Sequence, residues 1–137
     1  MSQENVEIVR AMAEAWNASE PDFSNYDPAL VYHPRADEPD ASPHVGRDAF
    51  ERFLLGQLET LPDMSFEIRE LIDAGDHVIA STVVHARGIA SGADVTDAYV
   101  FVYKLREGLI VEGWEYRTKE EALEAVGLSE QDAHAGS

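Results

Sequence analysis

The chain contains 137 residues, with 27 Asp and Glu residues against 10 Lys and Arg residues, a formal net charge of −17 and no cysteine. A chain of this length is typical of one domain, and a hydrophobic fraction of 45% indicates a folded core rather than a disordered acidic tail. The lack of cysteine excludes disulfide frameworks, thiolate metal sites and cysteine nucleophiles.

The first half of the chain contains the predicted helices. Apolar residues recur at helical spacing over residues 4–18, which predicts an amphipathic N-terminal helix. The short apolar stretch 29–33 is predicted to be a strand that Pro34 ends, and the polar residues 35–46 are long enough to form a functional loop. A second amphipathic helix is predicted at about 47–61.

The second half changes to the two-residue period of β-strands. Strands are predicted at 64–69, 77–88, 95–105 and 109–117, followed by a short helix at about 119–126. The capping box of Thr118 and Glu121 opens this helix. We expect one domain over residues 1–128 and a polar, disordered tail over 129–137.

The order of these elements predicts the fold class. Helices come first and a meander of long strands second, which favours an α+β fold. We expect a strongly curved antiparallel sheet whose concave face wraps around the N-terminal helices.

Several short segments, which together cover nearly the whole chain in order, carry a family resemblance. They are Glu4–Arg10 with Trp16-Asn17, Val31–Pro34, Gly46–Phe50, Ile72–Asp76, Ser91-Gly92, Leu105–Gly108, and Glu115–Arg117 running into Glu121–Leu128. In this order and spacing the chain resembles the SnoaL-like polyketide cyclase family of the nuclear transport factor 2-like superfamily. The resemblance implies a cone-shaped α+β barrel with a pocket between sheet and helices, and a homodimer formed through the outer face of the sheet. It implies no single reaction, because this fold hosts isomerases, cyclases, epoxide hydrolases, dehydratases and binding modules without catalysis.

His33 is the first candidate for catalysis. It ends the strand predicted at 29–33, where the similar ketosteroid isomerases have a carboxylate base, and an imidazole titrates near neutrality. We expect His33 to face the pocket as a base; the alternative is that it only hydrogen-bonds the adjoining loop. The isomerase analogy is incomplete, because Met12 stands where those enzymes have a tyrosine, and methionine cannot donate a hydrogen bond.

The strand at 95–105 offers two further candidates, Asp97 and Tyr99. They share a face with Phe101 and Tyr103, and this bulkier face is expected to point into the pocket. Asp97 would then be a catalytic residue and Tyr99 a pocket residue. The alternative is that the aromatic residues are ordinary core and that Asp97 caps a strand end near solvent.

The strand at 77–88 does not reveal its inner face, because both faces are largely apolar. If His85 and Arg87 point inward, they add an acid–base group and a clamp for an anion to the pocket. If they point outward, they belong to a dimer interface or to a solvated face.

Four large aromatic residues are expected to wall the pocket. Trp16 and Phe53 do so from the helices, where they exclude water and strengthen any charge inside. Trp114 and Tyr116 share a face of the strand at 109–117, opposite Glu115, and are pocket candidates whose alternative is ordinary core.

The sequence also indicates which ligands to exclude. His33, Asp37, Glu38 and His44 lie within twelve residues but match no established metal-ligand spacing, so we expect no metal. Dinucleotide and P-loop patterns are absent, so we expect no cofactor. No basic stripe is present that would neutralise a phosphate backbone, which argues against nucleic acid and anionic membranes.

Two functional classes remain. The first is a small cofactor-free enzyme, an isomerase, cyclase or hydrolase, that acts on a mostly apolar organic molecule by acid–base catalysis with His33, Asp97 or His85. The second is a dimeric ligand-binding or accessory module without turnover. The N-terminus lacks the features of a signal peptide and no apolar run approaches the roughly 18 residues that cross a bilayer, so we expect a cytoplasmic protein.

Overall fold

A computed structural model describes residues 2–38, 41–87 and 92–127. Over these residues the chain forms three helices and six strands. In chain order they are α1 (Ser2–Asn17), β1 (Tyr26–His33), β2 (His44–Val45), α2 (Arg47–Thr60), β3 (Ser65–Ala74), β4 (His77–Arg87), β5 (Asp94–Arg106), β6 (Leu109–Tyr116) and α3 (Lys119–Ala125).

The predicted order of elements is confirmed, with three differences in the strands. β1 begins earlier than predicted, at Tyr26, and β3 continues to Ala74. The two-residue strand β2 lies in the stretch that we predicted to be a loop, where it pairs with β1. Thr118 is confirmed as the residue that caps α3, because the backbone N–H of Glu121 donates to its hydroxyl at 3.1 Å. The predicted tail at 129–137 lies outside the described residues.

The strands form one curved sheet in the order β2-β1-β6-β5-β4-β3. Strands β3 to β6 are an antiparallel meander, as expected. β1 pairs with β6 in parallel, so the sheet is mixed rather than wholly antiparallel. These two strands are far apart in the chain and no hairpin joins them. They can therefore pair either in parallel or antiparallel. The sheet does not close into a complete barrel; the α+β fold class is confirmed.

The two faces of this sheet carry separate hydrophobic clusters. The inner face packs against α1 and α2, and its cluster includes Leu30, Tyr32, Phe50 and Phe101. The outer face packs against α3, and its cluster contains Ile72, Ile79, Val100, Val102, Ala122 and Leu123. Because side chains alternate along a strand, neighbouring residues of one strand belong to different faces.

The C-terminal end of α1 is fixed to the start of β3 by side-chain hydrogen bonds. The Trp16 indole N–H donates to the carbonyl of Met64 at 2.9 Å. The Asn17 amide donates to the carbonyl of Phe66 at 2.8 Å and accepts from its N–H at 2.9 Å. These bonds hold α1 across the inner face. No helix in the described part of the chain is long and apolar enough to span a membrane.

Candidate functional site

A cavity of about 450 Å³ lies between the inner face of the sheet and α2. Its volume falls within the range of small-molecule sites. Most of its wall is apolar and includes Phe53, Leu54, Phe66, Val84 and Phe101. Its polar side chains are Tyr32, Glu38, Gln57, Asp97, Tyr99 and Glu115.

Glu115 of β6 is a partly buried carboxylate in the wall of this cavity. It accepts a hydrogen bond from the Tyr32 hydroxyl and another from the backbone N–H of Arg35, the latter at 3.0 Å. Burial raises the pKa of Glu115, and the negative charge of Glu38 raises it further, although the two hydrogen bonds oppose the shift. A carboxyl group whose pKa lies above its usual value is suited to accept and return protons closer to neutral pH.

Tyr32 holds this carboxylate from within the core. Its ring is buried and packs 4.4 Å, between centroids, from the ring of Phe50. Burial and the neighbouring charge of Glu115 raise the pKa of Tyr32 well above its usual value. The hydroxyl therefore keeps its proton and remains a hydrogen-bond donor to Glu115.

A second tyrosine–glutamate pair lines the same cavity. The Tyr99 hydroxyl of β5 donates to the carboxylate of Glu38. Burial raises the pKa of Tyr99, and the hydrogen bond to Glu38 raises it further. This hydroxyl also remains a donor.

Arg35, two residues after the end of β1, connects the two pairs. Its backbone N–H holds Glu115, and its guanidinium lies 4.3 Å from the centre of the Tyr99 ring. The guanidinium also donates to Asp37 at 2.7 Å and to the carbonyl of Ala98 at 3.0 Å, and forms an ion pair with Asp97 at 3.2 Å. Because these contacts occupy it, the guanidinium is a structural cation behind the cavity residues Asp97 and Tyr99.

The arrangement places proton donors and acceptors at one end of an apolar cavity. Among the residues that the structure describes in its wall, the charged side chains are the carboxylates of Glu38, Asp97 and Glu115. No group of three or more His, Asp and Glu side chains within the described ranges is arranged to hold a metal ion. The chemistry that these residues supply themselves is acid–base chemistry.

In sequence, residues 9–113 match the family model of the SnoaL-like domain, and this range is most of the chain. The chain belongs to the SnoaL-like family. Among functionally curated proteins, no sequence matches it significantly.

Solved structures share the fold of this SnoaL-like domain. AclR from Streptomyces galilaeus, a proposed hydroxylase, is 19% identical with a TM-score of 0.71, over 93% of this chain and 97% of AclR. IdmH from Streptomyces antibioticus, a proposed polyketide cyclase, is 20% identical with a TM-score of 0.67, over 80% of this chain and 88% of IdmH. A protein with a ketosteroid isomerase-like fold from Catenulispora acidiphila, in complex with trimethylamine, is 19% identical with a TM-score of 0.71, over 90% of this chain and 94% of that protein. At such identities these likenesses concern the fold alone.

Four of the aromatic and acidic residues expected at the pocket of this SnoaL-like domain are at or beside it. Phe53, Asp97 and Tyr99 line the cavity of about 450 Å³. Trp16 lines a neighbouring cavity of about 80 Å³. The predicted inner face of β5 is therefore confirmed.

His33 does not face the cavity, contrary to our expectation. Its Nε2 lies 2.7 Å from a carboxylate oxygen of Glu112, and its ring stacks on Trp114 with the centroids 5.5 Å apart. Tyr32 takes the inner position at the end of β1, so the next side chain points to the outer face. Trp114, expected at the pocket, packs against the outer cluster instead.

Three further candidates also lie outside the cavity. His85 and Arg87 point outward from β4, where His85 pairs with Glu67 at 3.0 Å and Arg87 with Asp94 at 3.1 Å. Both side chains are exposed. The sequence left open whether they point into the pocket or outward, and the structure places them outward. Tyr116 packs against the outer cluster, to which α3 contributes Ala122 and Leu123. The three predicted catalytic residues His33, His85 and Asp97 therefore do not converge.

The sequence interpretation missed Tyr32, Arg35, Glu38 and Glu115 as site residues. One signal was available for Glu115, since it lies on the face of β6 opposite Trp114 and Tyr116. Had those aromatic residues been assigned to the outer face, the same alternation would have directed Glu115 inward.

Proposed function

We propose that this SnoaL-like domain binds a small, mostly apolar carbonyl compound in the larger cavity and that Glu115 transfers a proton to and from it. The observation that carries the proposal is the partly buried carboxylate of Glu115, held by Tyr32 and with a raised pKa, at the polar end of a cavity of about 450 Å³. Our first candidate for the base was His33. Glu115 replaces His33 in this role because Glu115 lines the cavity.

The proposed step uses the groups around Glu115. Its carboxylate removes a proton from the carbon beside the carbonyl, and the electrons of the broken C–H bond move onto the carbonyl oxygen as an enolate. Tyr32 holds the carboxylate in place during the transfer. Tyr99, which keeps its proton, turns its hydrogen bond from Glu38 to the enolate oxygen. Return of the proton from Glu115 to a conjugated carbon completes an isomerisation, whereas its return to the same carbon regenerates the starting ketone.

The charges of the wall select against anionic ligands. Glu38, Asp97 and Glu115 contribute negative charge to the wall, while the guanidinium of Arg35 is engaged by Asp37, Asp97 and Ala98. An apolar surround strengthens repulsion between these carboxylates and an anion. We therefore infer a ligand that carries no negative charge at neutral pH.

The test is hydrogen–deuterium exchange at the carbon beside a carbonyl. 2-Tetralone in D₂O is incubated with the wild type, Glu115→Gln and Glu112→Gln, and exchange is followed by proton NMR. We expect Glu115→Gln to lower the enzyme-dependent rate by about 10²- to 10⁴-fold, the usual contribution of one acid–base group. Glu112 is on the same strand but pairs with His33 on the outer face, so Glu112→Gln is the matched control and should keep its rate within about twofold.

Two outcomes would oppose this assignment. Equal exchange rates for the wild type and Glu115→Gln would remove Glu115 as the proton-transferring group. Binding of 2-tetralone without any acceleration of exchange would favour the second functional class, a ligand-binding module without turnover.

A further inference from the structure

A second, smaller cavity adjoins the first on the side of α1. Its volume is about 80 Å³, and we call it the recess. Val9, Met12 and Ala13 of α1 form one of its walls. Tyr32, Leu54 and Phe101 are among the side chains that line both the recess and the larger cavity. The two spaces are therefore neighbours that share a wall.

The recess is suited to an apolar group rather than to water. Most of the side chains that line the recess are apolar, and its polar ones are Trp16, Tyr26, Tyr32, Thr82 and Tyr103. Trp16 donates to the carbonyl of Met64, Tyr32 to Glu115, and Thr82 to the carbonyl of Tyr99 at 2.8 Å. The two that remain, Tyr26 and Tyr103, are buried tyrosines. A buried water needs two to four polar partners, and an apolar cavity stays dry. A dry cavity in a close-packed interior is a cost to stability unless a ligand group fills it.

The volume sets the size of that group. A dry cavity of about 150 Å³ holds one benzene molecule. The recess, at about 80 Å³, has roughly half this volume. It therefore has room for an alkyl chain of about three carbon atoms.

Tyr32 fixes where this chain would lie relative to Glu115. The Tyr32 ring lines the recess, while the hydroxyl at its end donates to Glu115. Tyr32 thus contacts both the recess and Glu115. A ligand with its carbonyl at Glu115 can place a short substituent along the Tyr32 ring into the recess.

We propose that the recess is a subsite for a short, unbranched alkyl group of about three carbon atoms on the ligand of the larger cavity. This inference rests on the proposed function, because it needs a carbonyl ligand held near Glu115. It narrows the ligand class to ketones that carry a short alkyl chain on the carbonyl carbon.

The test is a series of alkyl phenyl ketones that grows by one methylene at a time, from acetophenone to hexanophenone. Dissociation constants are measured by isothermal titration calorimetry. Each buried methylene should raise the affinity of the wild type about fourfold. The rise should stop at butyrophenone, whose propyl group fills the recess.

Two variants change the recess in opposite directions. Ala13→Leu fills it, so the affinity should no longer rise with chain length; Ala11→Leu makes the same change at an exposed position of α1 and should leave the rise intact. Met12→Ala enlarges the recess, so the rise should continue to longer chains than in the wild type. Because Met12→Ala adds no bulk, it tests the subsite even if Ala13→Leu fails to fold.

The outcomes separate this inference from the proposed function. Affinities that do not depend on chain length in the wild type, or that still rise in Ala13→Leu, would show that the recess is only a packing void, while acetophenone binding and exchange could stand. If affinity depends on chain length but no ketone exchanges its hydrogen for deuterium, the recess is supported as an alkyl subsite and Glu115 loses its catalytic role. Failure of every ketone to bind would overturn both.

Discussion

The two faces of the sheet present the same kinds of side chain in different surroundings. On the inner face, Tyr32 donates to the carboxylate of Glu115; on the outer face, the next residue, His33, pairs with Glu112. The His33–Glu112 pair is about one third exposed, at 32% and 36% of the two side chains. The Tyr32–Glu115 pair adjoins a cavity, and burial shifts the pKa of both of its members.

The difference shows that enclosure, rather than residue type, selects the candidate site. A histidine beside a glutamate has the chemistry of an acid–base pair on either face. Among the described residues, the inner pair is the one that lines the apolar cavity of about 450 Å³, whose low-polarity surroundings strengthen its charge. Three predictions test this comparison.

The largest effect is expected at Gly113, which lies on the inner face of β6 between Glu112 and Trp114. A Cβ at this position would lie 2.8 Å from Cδ1 of Tyr32, whose ring is packed against Phe50 and has little room to move. Gly113→Ala should lower the free energy of unfolding by about 1–3 kcal/mol, as overpacked cores do, and should displace the Tyr32 hydroxyl from Glu115. Urea denaturation and the 2-tetralone exchange rate measure the two effects.

Gly56 is the matched control. It lies in the exposed part of α2, and a Cβ there would meet nothing within 4 Å. Gly56→Ala should therefore raise stability by about 0.5–1 kcal/mol through helix propensity, without changing exchange. If Gly113→Ala were equally harmless, Tyr32 would not be fixed as tightly as its packing indicates.

The next effect is the pH dependence that Glu115 imposes. Its pKa in the folded protein is raised above the ordinary value of 4.5, so the folded state binds this proton more tightly than the unfolded chain. The free energy of unfolding should therefore fall as the pH rises from about 4.5 through the raised pKa, by at most about 1.4 kcal/mol per pH unit. Below 4.5 the group is protonated in both states and the contribution no longer changes.

Glu115→Gln isolates this contribution, because it removes one titrating group and leaves the other carboxylates. Urea unfolding of the wild type and the variant from pH 4 to pH 8 gives the difference between their free energies of unfolding. The variant should gain stability relative to the wild type as the pH rises above 4.5, and the gain should level off once Glu115 is ionised in the folded protein. A difference that stays constant over this range would mean that burial does not perturb Glu115.

Alternation along β5 was sufficient to predict its part of the site. The aromatic residues Tyr99, Phe101 and Tyr103 occupy every second position, so the bulky face was recognised as the inner one and Asp97 was placed with it. The element order and the α+β class followed from helical and strand periods in the same way. These are local properties, which a single sequence contains.

The rest of the site depends on contacts between distant segments. In β6, Trp114 and Tyr116 were candidates for the pocket with ordinary core as the alternative, but α3 supplies Ala122 and Leu123 as a second apolar layer on the outer face. That layer makes the outer face equally suitable for aromatic residues. Local alternation could not decide between two apolar faces.

The sequence pattern also could not predict where the segment after β1 lies relative to the sheet. Arg35 and Glu38 belong to a polar stretch without periodicity, and their positions are set by Ala98, Tyr99 and Glu115, all at least sixty residues away in the chain. A polar loop predicts function in general terms. It does not predict which residues of the sheet it meets.

The smallest effect is expected from His33→Ala. The imidazole pairs with Glu112 and stacks on Trp114 at a partly exposed position, so its loss should cost at most about 1 kcal/mol of stability. The 2-tetralone exchange rate should stay within about twofold of the wild type, because the sheet separates this ring from the cavity. An exchange rate that fell as far as in Glu115→Gln would mean that the outer face takes part in the proton transfer, and enclosure alone would no longer explain which of the two pairs is functional.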